Sequence, residues 1–582
     1  MKNFFTSFLG SLTAIIVSFF ILLIVIFSLI PKKEPVVVNS NSILHITLNG
    51  PISERAPKNP FENFGAGGMG ESGLDEILAN IGKAKDDANI KGIFLEVSTL
   101  TAGYASVEEI RNALFDFRKS GKFIYAYSEL YTTKAYYLAS VADKVYLNPQ
   151  GLIEFKGLSA QVMFFKGLLE KMDVDVQIFR HGKFKSAIEP FLLDKMSDAN
   201  RLQTLTYVKS LWMHVLEGIS TSRGPSVEEL NKLADNMSVQ RSRDCLKYKL
   251  ADDTIYKDQL LDMFKEKLKL SKKEKVQLVE MGKYSKVNTR HYIAMPGRIA
   301  VIYAAGEIAG GEGGDNRIGS EGLSKTIREA RMDSSIKAIV LRVNSPGGSA
   351  LASDVIWREV MLTKKIKPVI VSMGDVAASG GYYISCAANR IFAQPNTITG
   401  SIGVFGILPS FQKTLNNKLG ITIDTVNTNK HSALGTLLLP LSEEEGTVIQ
   451  KGVEDIYSVF ISRVASGRNM KTADVDSIGQ GRVWAGKDAV KIGLVDELGG
   501  IDDAIKYAAK SCGLDKYRIV YLPKQKEPLE ELLNRLSGND ESIRESALRN
   551  SLGDQYIYYQ YLKEMMGMKG IQARMGYEIV IE

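Results

Sequence analysis

The 582-residue chain carries one long segment twice. Sliding the sequence by 246 positions, the separation of Lys91 and Lys337, brings pairs into register without a gap. Ile93 meets Ile339, Leu95 meets Leu341 and Val97 meets Val343. Tyr136 and Tyr137 meet Tyr382 and Tyr383, and Ala142, Pro149, Gly157, Ser186 and Ala187 meet Ala388, Pro395, Gly403, Ser432 and Ala433. Matches that stay in phase over roughly a hundred residues mark a duplicated domain, not a short stacked repeat. The copies disagree at two positions that chemistry would notice. Ser379 lies between Ala378 and Gly380 where the first copy has Thr133, and Lys185 lies where the second has His431.

The hydrophobic pattern gives each copy the same order of elements. In the first, Ile43 to Leu48, Gly92 to Val97 and Phe123 to Tyr127 are short apolar runs suited to buried strands. Gly73 to Ala88, Val107 to Arg118 and Thr132 to Ala142 have helical spacing, and the glycine-rich stretch Asn59 to Gly73 reads as a mobile loop. In the second, Ile299 to Tyr303, Ala338 to Val343 and Val369 to Met373 are the strands, and a helix begins near Ser379. Alternating strands and helices predict α/β layers with largely parallel strands. Asp198 to Ser220 and its counterpart Ser442 to Ala465 read as long helices, and the basic stretch Lys265 to Lys286 as a connector between halves. The expected domains are 1–42 (anchor and tether), 43–297 (first copy and connector), 298–522 (second copy) and 523–582, a C-terminal extension outside the repeat with no assigned role.

Apolar content of 45% and charged content of 24% let each copy bury a core. A net charge of +7 without a basic stripe of interleaved aromatics argues against nucleic acid as a partner. Three scattered cysteines, Cys245, Cys386 and Cys512, fit neither a disulfide framework nor a zinc site. Phe8 to Ile30 is an apolar run without charge, and a bilayer core needs about 20 such residues. No small-x-small cleavage pattern follows it, so an uncleaved single-pass anchor is expected. Lys2 precedes the run and Lys32 and Lys33 follow it, which leaves its orientation open.

Two glycine-rich turns carry the chemistry. Asn344-Ser345-Pro346-Gly347-Gly348 ends a buried strand, where glycines let backbone N–H groups approach a ligand. Ala377-Ala378-Ser379-Gly380-Gly381-Tyr382 follows a neighbouring strand and opens a helix. A small-residue run there allows close packing, and it equally suits a nucleophilic serine beside N–H groups that hold a developing oxyanion. A serine hydroxyl needs a base. None of the histidines, His45, His181, His214, His291 and His431, sits in a triad signature. A lysine serves only when neutral, so its free pKa of about 10.4 must fall by about three units, and burial in an apolar cleft supplies a shift of that size. Lys185 stands out because it lies in Gly182-Lys183-Phe184-Lys185-Ser186-Ala187, in register with Ser432-Ala433.

These motifs resemble the signal peptide peptidase A (protease IV) family in its long form, a serine peptidase family related to ClpP and the crotonases. The resemblance spans nearly the whole chain after the anchor. It also rests on Thr399-Gly400-Ser401-Ile402-Gly403-Val404, Gly481-Arg482-Val483-Trp484 and Gly493-Leu494-Val495-Asp496. It implies two tandem crotonase/ClpP-like α/β superhelix domains after a transmembrane helix, and a Ser/Lys dyad with no cofactor. Ser379 would be the nucleophile, Lys185 the general base and Ser401 the group that holds the lysine. The oxyanion donors would be the N–H of Gly380 and of either Gly347 or Gly348. Short relatives keep serine and lysine in one copy, so His431 at the vacated lysine position agrees with a dyad completed across two halves. A Ser379–His431 pair within one copy is the alternative. The resemblance further implies bowl-like, tetramer-like homo-oligomers on the outer face of the inner membrane, cutting cleaved signal peptides. An acyl-thioester enzyme of the crotonase type and a non-catalytic membrane scaffold are the competing readings.

Overall fold

A computed structural model of the chain describes residues 37–56, 72–287, 297–314, 317–525 and 570–575, with scattered positions in 7–21 and 548–563 and the pair 580–581. The loop expected at Asn59 to Gly73 lies outside the described residues except for its last two positions. Most of the Phe8 to Ile30 run lies outside them as well, although residues 10–18 are helical. No helix among the described residues is long and apolar enough to cross a membrane.

Each copy builds a six-strand path of nearly all-parallel pairs. The first runs in the order Gln277–Glu280, Ser42–Leu48, Ile90–Val97, Phe123–Tyr131, Lys144–Ile153, Asp253–Thr254. The second runs Val483–Ala485, Ile398–Gly400, Val369–Ala378, Ile336–Ser345, Arg298–Ala305, Arg518–Leu522. Parallel strands are covered on both faces, which is why they read as continuous apolar runs. Ile93, Leu95 and Val97 lie in one core, and Ile339, Leu341 and Val343 in the other.

The helices repeat with the sequence offset. Leu74–Asp86 corresponds to Ser320–Met332, and Tyr104–Arg118 to Ala350–Lys364. Leu74, Ile77, Ile81 and Ala84 recur at helical spacing and are all buried. The helix expected from Val107 begins three residues earlier, at Tyr104, because Gly103 and Ser106 dock on the other half. Ser106 N–H donates to Asp375 Oδ1 at 2.8 Å. The stretch Lys265 to Lys286 is more than a connector. Gln277–Glu280 adds an edge strand beside Ser42–His45, and the helical turn Met281–Tyr284 that follows buries Tyr284. Its lysines hid this in the sequence, since they occupy only the outward face of a partly buried segment.

The halves are joined by a buried ion cluster and by a shared sheet. Arg342 of the second half donates from Nε to Glu54 at 2.8 Å and pairs with Glu109 at 2.7 Å, with all three side chains almost fully buried. Burial pushes the Glu109 carboxyl up to about 7 against the pull of Arg342. The shared sheet runs Gly313–Gly314, Arg317–Gly319, Glu307–Ala309, Gly347–Ser349, Gln572–Arg574, Val404–Ser410, Asp175–His181. Its last strand comes from the first half and pairs antiparallel with the second, His181 opposite Val404 and Asp175 opposite Ser410.

Candidate active site

Two turns leave the second sheet side by side. Ile336–Ser345 pairs in parallel with Val369–Ala378, and Ser345 stands opposite Ala377. Ser379 joins the second of these strands to the helix Gly380–Ser385 at φ 54° and ψ −112°. A non-glycine residue in so sparsely populated a conformation costs about 1–3 kcal/mol, and such strain concentrates at functional sites. Surrounding bonds and small neighbours hold it. Ser379 N–H donates to Gly400 O at 2.8 Å. A Cβ on Gly380 would lie 2.6 Å from Ser353 Oγ, and one on Gly381 2.6 Å from Ser345 O.

Lys185 arrives from the other half. Strand Asp175–His181 carries the chain along Val404–Ser410, and Gly182 at φ 105° turns it over Gln480. Phe184 N–H then donates to Gln480 O at 2.9 Å, and Gln203 Nε2 donates to Phe184 O at 3.0 Å. Gly481, at φ 82°, lets this loop come close: a Cβ there would lie 2.6 Å from Lys185 N. The Gly481-Arg482 motif is therefore the platform under the lysine. Arg482 O also accepts from Ser401 N–H at 2.7 Å. In the Gly493-to-Asp496 motif, by contrast, Leu494 O accepts from the Tyr382 hydroxyl at 2.8 Å and Asp496 pairs with Arg468 at 2.7 Å, which anchors the helix behind the serine.

The lysine amine ends among three oxygens. Nζ lies 2.8 Å from Ser379 Oγ, 3.2 Å from Ser401 Oγ and 3.2 Å from Ser401 O. Ser379 Oγ also lies 3.3 Å from Gly403 O. Lys185 is 1% exposed and Ser379 0%. Burial holds the Lys185 amine well below its ordinary value of 10.5. Both protonation states are satisfied here. An ammonium gives its three N–H groups to the three oxygens while the Ser379 hydroxyl donates to Gly403 O. A neutral amine keeps two N–H groups on Ser401 and receives the Ser379 proton on its lone pair.

Gly347 and Gly348 flank the serine turn, at φ 99° and 154°. A Cβ on Gly347 would sit 2.6 Å from Gly380 N, so the two turns touch through their backbones. Gly347 N–H donates to Ser345 Oγ at 3.1 Å, whereas Gly348 stands opposite Ala573 of the strand Gln572–Arg574. His431 is elsewhere: its Nδ1 lies 3.0 Å from Glu445 Oε1 and the side chain is 39% exposed. Among the described residues, no cluster of three or more His, Cys, Asp or Glu is placed to hold a metal ion. Sequence reasoning missed the Gly403 carbonyl and the supports Gln480 and Gln203. The first was inside a quoted motif, but nothing in a sequence says which way a carbonyl points.

Both copies resemble known proteins. The model for peptidase family S49 matches residues 116–271 and again 361–515, once in each copy. Protease 4 of Salmonella typhi is 36% identical over 505 residues, covering 84% of this chain and 80% of that protein. The chloroplastic serine protease SPPA of Arabidopsis thaliana is 34% identical over 545 residues, covering 92% of this chain and 78% of that protein. Among solved structures, ClpP1 from Listeria monocytogenes overlaps 35% of this chain and 92% of its own at 20% identity, with a TM-score of 0.23. Two matched domains and relatives aligned over most of both chains place the chain in peptidase family S49, and it is a serine peptidase.

Proposed function

We propose that the chain hydrolyses peptides with a Ser379–Lys185 dyad assembled from its two halves. The observation that carries this reading is the 2.8 Å contact between a fully buried lysine amine and the hydroxyl of a serine held in a strained turn. The neutral amine takes the hydroxyl proton as Ser379 Oγ attacks the peptide carbonyl carbon. The N–H groups of Gly348 and Gly380 receive the developing oxyanion, Gly347 being engaged by Ser345. Lys185 returns the proton to the leaving amine, and a water repeats the sequence to release the acyl group. Ser401 orients the amine through its hydroxyl and its carbonyl. A crotonase-type thioester enzyme would need the N–H pair alone and gives no reason to bury a lysine against a serine. The His431 alternative is not favoured, since that ring is engaged with Glu445.

Cleaved signal peptides and similar apolar peptides are the proposed substrates, and the inner membrane the proposed location, with Phe8 to Ile30 as a single-pass anchor. The support is chemical: an apolar peptide gains by leaving water for an apolar cleft beside a membrane. A homo-oligomer is proposed as well. The segment 421–427, the counterpart of Asp175–His181, has no strand partner among the described residues and exposes Ile421 and Val426. A second copy offering its Leu158–Phe164 segment, the counterpart of Val404–Ser410, would pair with it in the way the halves pair here. Sedimentation of the detergent-solubilised chain tests this, and a monomer at micromolar concentration would remove it. The function itself is tested by mass spectrometry after treatment with a serine-acylating probe. One adduct, on Ser379, is expected; labelling elsewhere, or none, would overturn the assignment.

A further inference from the structure

The shared sheet contains a feature that the dyad does not explain. Gly347–Ser349, beside the serine, and Val404–Ser410, which carries the lysine strand, do not pair with each other. The strand between them is Gln572–Arg574, from the C-terminal extension. On one side it runs antiparallel to the glycine turn, with Gly347 opposite Arg574, Gly348 opposite Ala573 and Ser349 opposite Gln572. On the other, Gln572 stands opposite Phe405. Without this strand, two edges face each other across a gap one strand wide. Such a gap accepts an extended peptide through main-chain bonds.

The register is that of a substrate. Ala350 N–H donates to Ile571 O at 3.2 Å, and Met575 N–H donates to Pro346 O at 2.6 Å. Hydrogen-bonded pairs alternate along an antiparallel ladder, so Gly348–Ala573 is the bonded pair between them. The Ala573 carbonyl oxygen therefore faces the Gly348 N–H, and it lies 2.9 Å from the point where a Cβ on Gly380 would stand. These are the two glycines assigned to the oxyanion. Ala573 is fully buried, Met575 nearly so, and Arg574 Nη1 donates to Glu307 Oε1 at 3.2 Å.

We propose that the chain's own C-terminal strand, Ile571 to Met575, is a built-in occupant of the peptide-binding slot and competes with external peptide for it. The inference rests on the peptidase reading above and adds its regulation and its binding register. A tethered strand of this kind acts at an effective concentration on the order of millimolar, so it must leave before a peptide can enter. The fully buried Ala573 also marks the position on the acyl side of the attacked bond as one that takes a small side chain.

The test uses the full chain. Ser349 and Gln572 form a non-bonded antiparallel pair, the kind whose Cβ atoms lie about 4.5–5.5 Å apart. Ser349→Cys with Gln572→Cys, oxidised, should lose at least about tenfold in peptide turnover and in labelling of Ser379, both restored by reductant. Met575→Pro, which removes the N–H donated to Pro346, should lower KM severalfold with kcat unchanged. Equal turnover of the oxidised and reduced double variant, or an unchanged KM in Met575→Pro, overturns the inference while leaving the peptidase in place. Absence of Ser379 labelling in the reduced chain, in Met575→Pro and in the parent alike strikes the peptidase reading itself.

Discussion

The two copies share a fold and differ at two matching points. At Ser379 the second copy has a strained turn, a glycine cradle and a buried amine. At the matching Thr133 the first copy has an ordinary helix start. Thr132 caps the helix by accepting from Ala135 N–H, and the Thr133 hydroxyl donates to Glu154 O at 2.9 Å. The glycine pair Gly347-Gly348 is replaced by Thr101-Ala102, and Gly380 by Lys134, whose amine donates to Ala102 O at 2.6 Å. The matching position of the first copy is therefore filled and satisfied. The same contrast runs in reverse at the lysine, where Lys185 is buried while its counterpart His431 is half exposed on Glu445. Duplication lets a fold keep its packing in both copies while the residues at matching turns diverge.

The largest effect expected from this contrast is at the serine. Ser379→Ala should lower kcat/KM for peptide cleavage by about a thousandfold or more, while Thr133→Ala stays within about twofold. Comparable losses in both would break the asymmetry. Next is the lysine: Lys185→Met should remove about two to four orders of magnitude in kcat/KM. In the parent chain, kcat/KM should rise with pH as the buried amine deprotonates, at a pH well below 10.5. The sign for stability follows from the same shift. The folded chain binds this proton less tightly than the unfolded chain, so its contribution is fullest above 10.5 and falls as pH drops toward the folded value. Thermal melts should accordingly show Lys185→Met gaining on the parent as pH is lowered from 10 toward neutrality. A constant difference would contradict a neutral amine.

At the junction of the halves, Arg342→Met leaves Glu54 and Glu109 without their buried cation, and should cost about 3–5 kcal/mol in denaturant unfolding. The matching residue of the first copy is Glu96, partly exposed beside His45 and Lys257, and Glu96→Gln should cost less than about 1 kcal/mol. Similar costs at both would show that the junction is not the more demanding site. Between these lies Gly481→Ala, which pushes a methyl against Lys185 and should lower kcat/KM by about a hundredfold through misplacement alone. Full activity there would show that the platform does not set the lysine's position.

Much of this was legible in the chain because periodicity and repetition are local or linear properties. The offset that matches Lys91 to Lys337 also matches the helices Leu74–Asp86 and Ser320–Met332 end to end. Ser379 was legible because a strand, a small-residue turn and a helix are contiguous there. Lys185 was legible only through its register with the other copy and through family resemblance, since one lysine among many carries no signal of its own. The extension beyond Pro523 gave no repeat and no pattern, and Ala573 could not be found from it.

The amino-acid sequence alone determined that this chain has two α/β copies, that one keeps the serine and the other the lysine, and that each can bury a core. Those facts depend on spacing along the chain. Only the tertiary structure decided that strand Asp175–His181 crosses to the other half and brings Lys185 to Ser379, that Arg342 is paired with two acids from the opposite copy, and that Gln572–Arg574 lies between Gly347–Ser349 and Val404–Ser410. Each is a meeting of segments far apart in sequence. It is set by which unpaired edge and which buried charge find partners in three dimensions, and no local pattern encodes that choice.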